Sequence, residues 1–390
     1  MTVNFSEFVT AYGIAQGTLD RNGNSADNNL LTFGAKAKIN DAWSLNGEVS
    51  TGNRGSNLTF GAEHIVNDTF SVYGNVNLFN DTDNVLGQSI TVGQRKTLTS
   101  SLSVFSEHQF STEENRVAMT NTIGLNNTFN RFTSGNLSFQ SSRIDDDLGD
   151  VVERDTITAG LSYKRDSGFL SSRLEFRQDE SDTVDTDQWV LTNNVEYRRS
   201  PAMRWQGRLN FSSTDDSITG DEAKFVEAGI GFAYRPVTND RFNMLGRYTY
   251  LFDLPPLSQS DQTDNRSSIF SLENVYELGK RYSIGGKLAY REGEIRTTRV
   301  DGLWISNDAT LASLRLRYRT PFGINGLASY SWLGSDATEG LRQGALLSIG
   351  RTVGQNLQFS VGYNFSSFDD DLGNDDFDVQ GWFLNLVGKY

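Results

Sequence analysis

Leu357-Gln358-Phe359-Ser360-Val361-Gly362-Tyr363-Asn364-Phe365-Ser366 alternates without a break: every odd position is apolar and every even one is polar or glycine. Successive side chains of an extended strand point to opposite faces, so this stretch predicts a strand with one greasy face and one hydrophilic face. The same pattern sets Trp205, Gly207, Leu209 and Phe211 against Arg204, Gln206, Arg208 and Asn210. It returns in Tyr282, Ile284, Gly286, Leu288 and Tyr290, set against Arg281, Ser283, Gly285 and Lys287. Nothing comparable occurs at a period of 3.6. The chain is all-β.

Two kinds of connection alternate along it. Short turns are marked by Asn40-Asp41, Asn67-Asp68, Asp166-Ser167-Gly168, Ser200-Pro201, Thr238-Asn239-Asp240, Gly279-Lys280, Pro321-Phe322-Gly323 and Gly354-Gln355-Asn356. These residue types tolerate or pre-set the backbone angles of tight turns. The other connections are longer and acidic, around Asp81-Asp83, Asp145-Asp147, Asp179-Asp187, Asp215-Asp221, Asp261-Asp264 and Asp369-Asp378. Alternation places all turns of one kind at the same end of the sheet. Segmenting on these markers gives about 22 strands (range about 20–24) of roughly 10 to 15 residues. The hairpin period of about 35 residues is no solenoid repeat, and residues 1–390 read as a single domain.

Composition narrows the choice between a soluble and a membrane sheet. The 390 residues include five prolines and 37 glycines, and only 37% are hydrophobic. Mean hydropathy is −0.46. A soluble chain of this size needs more apolar mass to fill its core, whereas a barrel with a wet interior needs it on one wall face alone. The 12% aromatic content and the sustained alternation argue against disorder. No run reaches 18 apolar residues, so no transmembrane helix is expected, which leaves strands as the crossing elements. There is no cysteine, and with it no disulfide framework or thiolate metal site. The net charge of −14 excludes a general affinity for nucleic acid. Met1-Thr2-Val3-Asn4-Phe5 lacks a basic and an apolar leader region; an exported protein would carry a signal peptide, and any plug or passenger domain, upstream of this sequence.

Aromatic residues gather near the short turns. Tyr163, Tyr197, Tyr234, Tyr276 and Tyr318 precede them; Trp43, Phe70, Phe132, Phe169, Trp205, Phe242 and Tyr282 follow them. Rings with a polar tip favour the lipid headgroup level, so this row reads as an interfacial girdle, with ordinary cross-strand pairing as the alternative. The chain closes on Trp382-Phe383-Leu384-Asn385-Leu386-Val387-Gly388-Lys389-Tyr390, with Trp382, Leu384, Leu386, Gly388 and Tyr390 on one face. This end resembles the terminal β-signal of Gram-negative outer-membrane β-barrel proteins. The resemblance implies an antiparallel up-and-down transmembrane barrel in the cell outer membrane, with both termini periplasmic. Its partners would be outer-membrane lipid, lipopolysaccharide and the barrel assembly machinery. Arg241-Phe242-Asn243-Met244-Leu245-Gly246-Arg247-Tyr248-Thr249-Tyr250-Leu251-Phe252-Asp253-Leu254-Pro255-Pro256 looks like segments in C-terminal barrels of larger exported proteins, which implies a membrane-embedded end with a plug, passenger or partner chain.

The candidate site residues lie on the hydrophilic rows: Arg173, Arg177, Arg204, Arg208, Arg247, Arg291, Arg315 and Arg317, with Glu175 and Lys287 among them. In hydrocarbon each arginine would cost about 2 to 4 kcal/mol near the midplane, so they belong in a solvated lumen. Arginine is scarce before Arg143, which confines the positive surface to one side of the wall. Two readings follow: a conduit biased toward anions, or a ladder in which Glu175, Glu196 and Glu227 pair with arginines across strands. The acidic run Asp369-Asp370-Asp371-Leu372-Gly373-Asn374-Asp375 offers hard oxygens suited to Ca²⁺, without EF-hand spacing; a solvated loop tip is the alternative, and no other cofactor is expected. Glu63-His64 and Glu107-His108 are neighbours on a strand, so each pair splits between faces and cannot close on one metal. With no GxSxG elbow and no HExxH helix, catalysis is not expected. The leading expectation is a channel or transport barrel for polar solutes or a polypeptide; the alternative is a membrane anchor or translocator domain.

Overall fold

The computed structural model describes residues 2–4, 8–16, 29–53, 55–80, 85–146, 149–256, 263–299, 302–335, 340–353, 357–366, 372 and 380–388. Its strands are β1 (Thr2–Asn4), β2 (Val9–Gln16), β3 (Leu30–Lys38), β4 (Trp43–Gly52), β5 (Gly55–Asn67), β6 (Phe70–Asn80), β7 (Leu86–Thr97) and β8 (Leu102–Glu113). They continue as β9 (Arg116–Asn130), β10 (Thr133–Asp146), β11 (Val151–Arg165), β12 (Gly168–Glu180), β13 (Asp185–Ser200), β14 (Met203–Asp216), β15 (Glu222–Tyr234) and β16 (Phe242–Leu254). The last third holds β17 (Asp264–Glu277), β18 (Tyr282–Arg296), β19 (Ile305–Ser306), β20 (Ala309–Arg319), β21 (Ile324–Ser335), β22 (Gly340–Val353), β23 (Leu357–Asn364) and β24 (Gly381–Gly388).

All belong to one 24-stranded sheet. Every recorded pairing is antiparallel and joins neighbours along the chain, with the two-residue β19 capping one end of β18 beside β20. Setting aside β19 and the three-residue β1 leaves 22 of the 24 strands, in agreement with the segmentation of the sequence. The fold is an antiparallel up-and-down β-barrel. Among the described residues no helix is long and apolar enough to cross a membrane.

The alternation read from sequence sorts the side chains by face. Large apolar residues such as Phe33, Leu58, Phe60, Ile123, Phe139, Ile157, Ile230, Phe270, Leu314 and Ile349 remain 45–64% exposed on one face. Buried polar residues collect on the other: Thr32, Ser142, Thr156, Asp179, Thr249, Ser267 and Arg291. Exposed greasy groups outside and buried polar groups inside invert the arrangement of a soluble domain. The polar face is therefore the concave interior, and among the described residues a small apolar cluster forms there, where Leu311 and Ala309 of β20 and Ala289 of β18 pack with Leu372.

Two details depart from the sequence reading. Strands run on into the acidic segments: β12 holds Asp179 and Glu180, β13 starts at Asp185, and β14 ends at Asp216. The β12–β13 and β14–β15 connections are correspondingly shorter, and β8 and β9 at the same end are joined by a two-residue turn with Glu114 at φ 26. Carboxylates tolerate a strand once its register has risen clear of the apolar belt, because ladder hydrogen bonding continues in water. The girdle is otherwise in place on the outer face, with ring pairs Tyr282–Tyr318 at 4.8 Å, Phe132–Tyr163 at 6.4 Å and Tyr234–Phe242 at 6.5 Å. Phe169 is the exception. It pairs in register with Lys164 and Glu196 and so lies on the interior face, while its neighbour Leu170 pairs with Tyr163 and faces out.

Candidate functional site: the interior wall

The interior face of β2–β9 is built mainly from Asn, Ser, Thr, Gln, glycine, tyrosine and glutamate, with the Phe79 and Phe105 rings and Arg95 among them. Two of its rows repeat one arrangement. Tyr12, Gly34 and Glu48 align across β2, β3 and β4; Tyr73, Gly93 and Glu107 align across β6, β7 and β8. In each, the phenol lies over the glycine, where a Cβ would fall inside the ring, and its hydroxyl donates to the glutamate on the far side. The Tyr73 Oη–Glu107 Oε1 distance is 2.5 Å. Phe79 over Gly87 and Phe105 over Gly124 fill the same kind of gap. Glycine here makes room for a ring from the next strand.

The wall formed by β11–β20 is different. Arg154 grips Asp179 through both Nε and Nη2 at 2.7 Å, and Arg177 approaches the same carboxylate at 3.7 Å. Arg173 pairs with Glu175 at 2.6 Å on its own strand, and Arg204 with Glu196 at 3.2 Å across β13 and β14. Glu227 is shared by Arg208 at 3.3 Å, Arg247 at 3.9 Å and the Asn210 amide at 3.0 Å. Arg315 reaches over Gly285 toward Glu273, 3.8 Å away. Arg291 is buried and donates to Asn307 Oδ1 and the Leu372 carbonyl, each at 3.2 Å. Arg317 stands on the same face, pairing in register with Ser283 and Leu327, and no ion pair to it is found among the described residues.

All eight arginines singled out by sequence thus occupy the interior face, and the Arg–acid ladder exists. Asp179, Glu273 and Arg154 belong to it and were not foreseen. Each lies on the correct row of its strand, but only register reveals which acid meets which arginine. Because Asp179 and Glu227 each serve two arginines, the ladder leaves positive charge over.

The acidic end of the barrel carries a second ionic cluster. Arg299, beyond β18, donates to Asp264 Oδ1 at 3.0 Å, Asp221 Oδ1 at 3.4 Å and the Glu222 carbonyl at 2.8 Å. Arg296 holds the other oxygen of Asp264 at 2.6 Å, and Trp304 lies against the guanidinium groups of Arg266 and Arg296 at 4.3 and 4.8 Å. Three connections are tied together there.

His64 stacks on Trp43 at 4.3 Å on the outer face, while Glu63 faces inward. His108 Nδ1 lies 2.5 Å from Asn121 Oδ1, and Glu107 is turned toward Tyr73. Each histidine is separated from its neighbouring acid by the sheet. No group of three metal-capable side chains occurs among the described residues, and the acidic run 369–375 lies outside them except for Leu372. At the C-terminus, Trp382 meets Tyr363 edge-on at 5.2 Å on the outer face, which Leu384 shares. Leu386 and Gly388 pair in register with Phe359 and Leu357, and Tyr390 lies outside the described residues.

No family model matches the chain, and no curated protein does. Solved structures similar to it include the siderophore receptor PirA of Pseudomonas aeruginosa, at 14% identity and TM-score 0.40, covering 86% of this chain and 76% of that one. The alcaligin outer membrane receptor FauA of Bordetella pertussis gives 12% identity and TM-score 0.43, covering 98% and 76%. The ferric enterobactin receptor PfeA in complex with BCV-L6 gives 9% identity and TM-score 0.47, covering 98% and 80%. Nothing about this chain's own ligand follows from them.

Proposed function

We propose that the chain is a transport barrel of a Gram-negative outer membrane that passes polar solutes, with a preference for anions, through its charged interior. One observation carries this reading: the greasy rows face out while an arginine surplus lines one interior wall. Wall charge sets permeant preference, and a cleft with one sign of charge concentrates counter-charged solute. The last strand, β24, ends on the side of the short turns, which supports a periplasmic C-terminus. Assembly follows the route read from the terminal strand, in which an extended edge pairs with a partner sheet.

Planar bilayers test the proposal. Purified full-length chain in a KCl gradient should give steady conductance with a reversal potential on the anion side. A cation-side potential would overturn the preference. Near-zero conductance would favour the anchor or translocator reading, which gains some support from Leu372 seated on the interior wall between β18 and β20.

A further inference from the structure

The lumenal glycines fall into two kinds. On the β2–β9 wall, rings lie over Gly34, Gly87, Gly93 and Gly124. On β15, Gly229 and Gly231 are uncovered: a Cβ at Gly229 would have Thr249 Oγ1 as its nearest side-chain atom, at 3.7 Å. At Gly231 the nearest side-chain atom is Arg247 Cβ, at 4.0 Å, with the Gly246 carbonyl oxygen at 3.2 Å. The two glycines floor a trough of about 350 Å³, rimmed by Arg204 and Arg208 of β14 and Arg247 of β16, with Glu227 at one end. In register, Gly229 lies between Arg208 and Thr249, and Gly231 between Gln206 and Arg247. Both oxygens of Glu227 are already engaged by Arg208, Arg247 and Asn210, and Arg204 is paired with Glu196. Three guanidinium groups therefore surround an empty floor, against two carboxylates.

The geometry points to a binding subsite for a phosphoryl-bearing polar solute, held by Arg204, Arg208 and Arg247 over the Gly229–Gly231 floor. The inference rests on the proposed transport reading in requiring a wet lumen. A phosphoryl group accepts hydrogen bonds from several directions, which suits guanidinium forks arriving from two strands; a single carboxylate would satisfy one fork. The volume exceeds that of bare phosphate and falls within the range of small-ligand sites, leaving space for the polar remainder of the solute.

The test uses inorganic pyrophosphate as probe, titrated calorimetrically into the detergent-solubilised full chain and added to the conducting barrel in bilayers. Binding is expected to weaken at least tenfold in Gly229→Val, which fills the floor and leaves every arginine in place, and in Arg208→Gln. Arg95→Gln, which removes the same charge from the β2–β9 wall, should change it less than twofold. Heat-modifiable migration in gels confirms that each variant is folded. If Gly229→Val binds as the parent does, or Arg95→Gln weakens binding as much as Arg208→Gln, diffuse charge explains the affinity and the subsite is overturned. A barrel that conducts without binding pyrophosphate defeats this inference alone; one that binds it without conducting defeats the transport reading alone.

Discussion

The two interior walls solve one problem in opposite ways. Both must present polar side chains to a lumen while the other face of the same strands meets lipid. Around β2–β9, glutamates are tied to phenols across glycines, as in Tyr73–Gly93–Glu107, and arginine is scarce. Around β11–β20, charge is met by charge, and the acids are too few for the arginines around them. Polarity of the lining is thus a consequence of the fold, whereas its sign is local. A one-sided distribution leaves a lateral field across the lumen, which a uniform ladder would cancel.

Six substitutions probe that contrast, beginning with the premise both walls share. Phe139→Arg puts a cation in mid-strand on the outer face of β10 and should cost about 2–4 kcal/mol of folding free energy in vesicles. Its neighbour Gln140→Arg, on the interior face, should cost little by the same urea titration. Comparable costs at the two positions would mean that the outer rows do not face hydrocarbon.

Asp179→Asn should come next. It removes the carboxylate shared by Arg154 and Arg177 in a residue 7% exposed, at about 2–3 kcal/mol after allowing for the partly solvated arginines. The reversal potential in a salt gradient should move further toward the anion limit. A shift the other way would show that Asp179 does not offset wall charge.

Gly93→Val should cost about 1–2 kcal/mol, because the new side chain displaces the Tyr73 ring. Gly229→Val meets no ring and should change stability by about half a kcal/mol or less. Melting of the two variants compared side by side, with equal losses, would erase the distinction between covered and open glycines. Tyr73→Phe should cost about 1 kcal/mol for the lost hydrogen bond to Glu107. It should also move selectivity slightly toward cations by releasing that carboxylate into the lumen.

Much of the fold was legible in the residues themselves. Period-two alternation assigned faces in strands such as β14 and β18, and Asn-Asp, Ser-Pro and Pro-Phe-Gly punctuation located short turns. The same rule of facing separated His64 and His108 from the acids beside them. Phe169 shows where such reading stops. Counting from a turn gives the correct face only when the turn length is known, and one residue reverses it.

By itself, the sequence determined that this chain is a meander of amphipathic strands and which side chains stand on each row, because facing depends only on position along one strand. Partnership depends on how two strands are offset, and that belongs to the assembled sheet. Arg154 meets Asp179, Arg315 crosses Gly285, and Gly229 stays open while Gly93 is covered, all through contacts between segments whose own patterns look alike. A shift of two residues would preserve every facing and change each of those pairs, so only the tertiary structure could decide them.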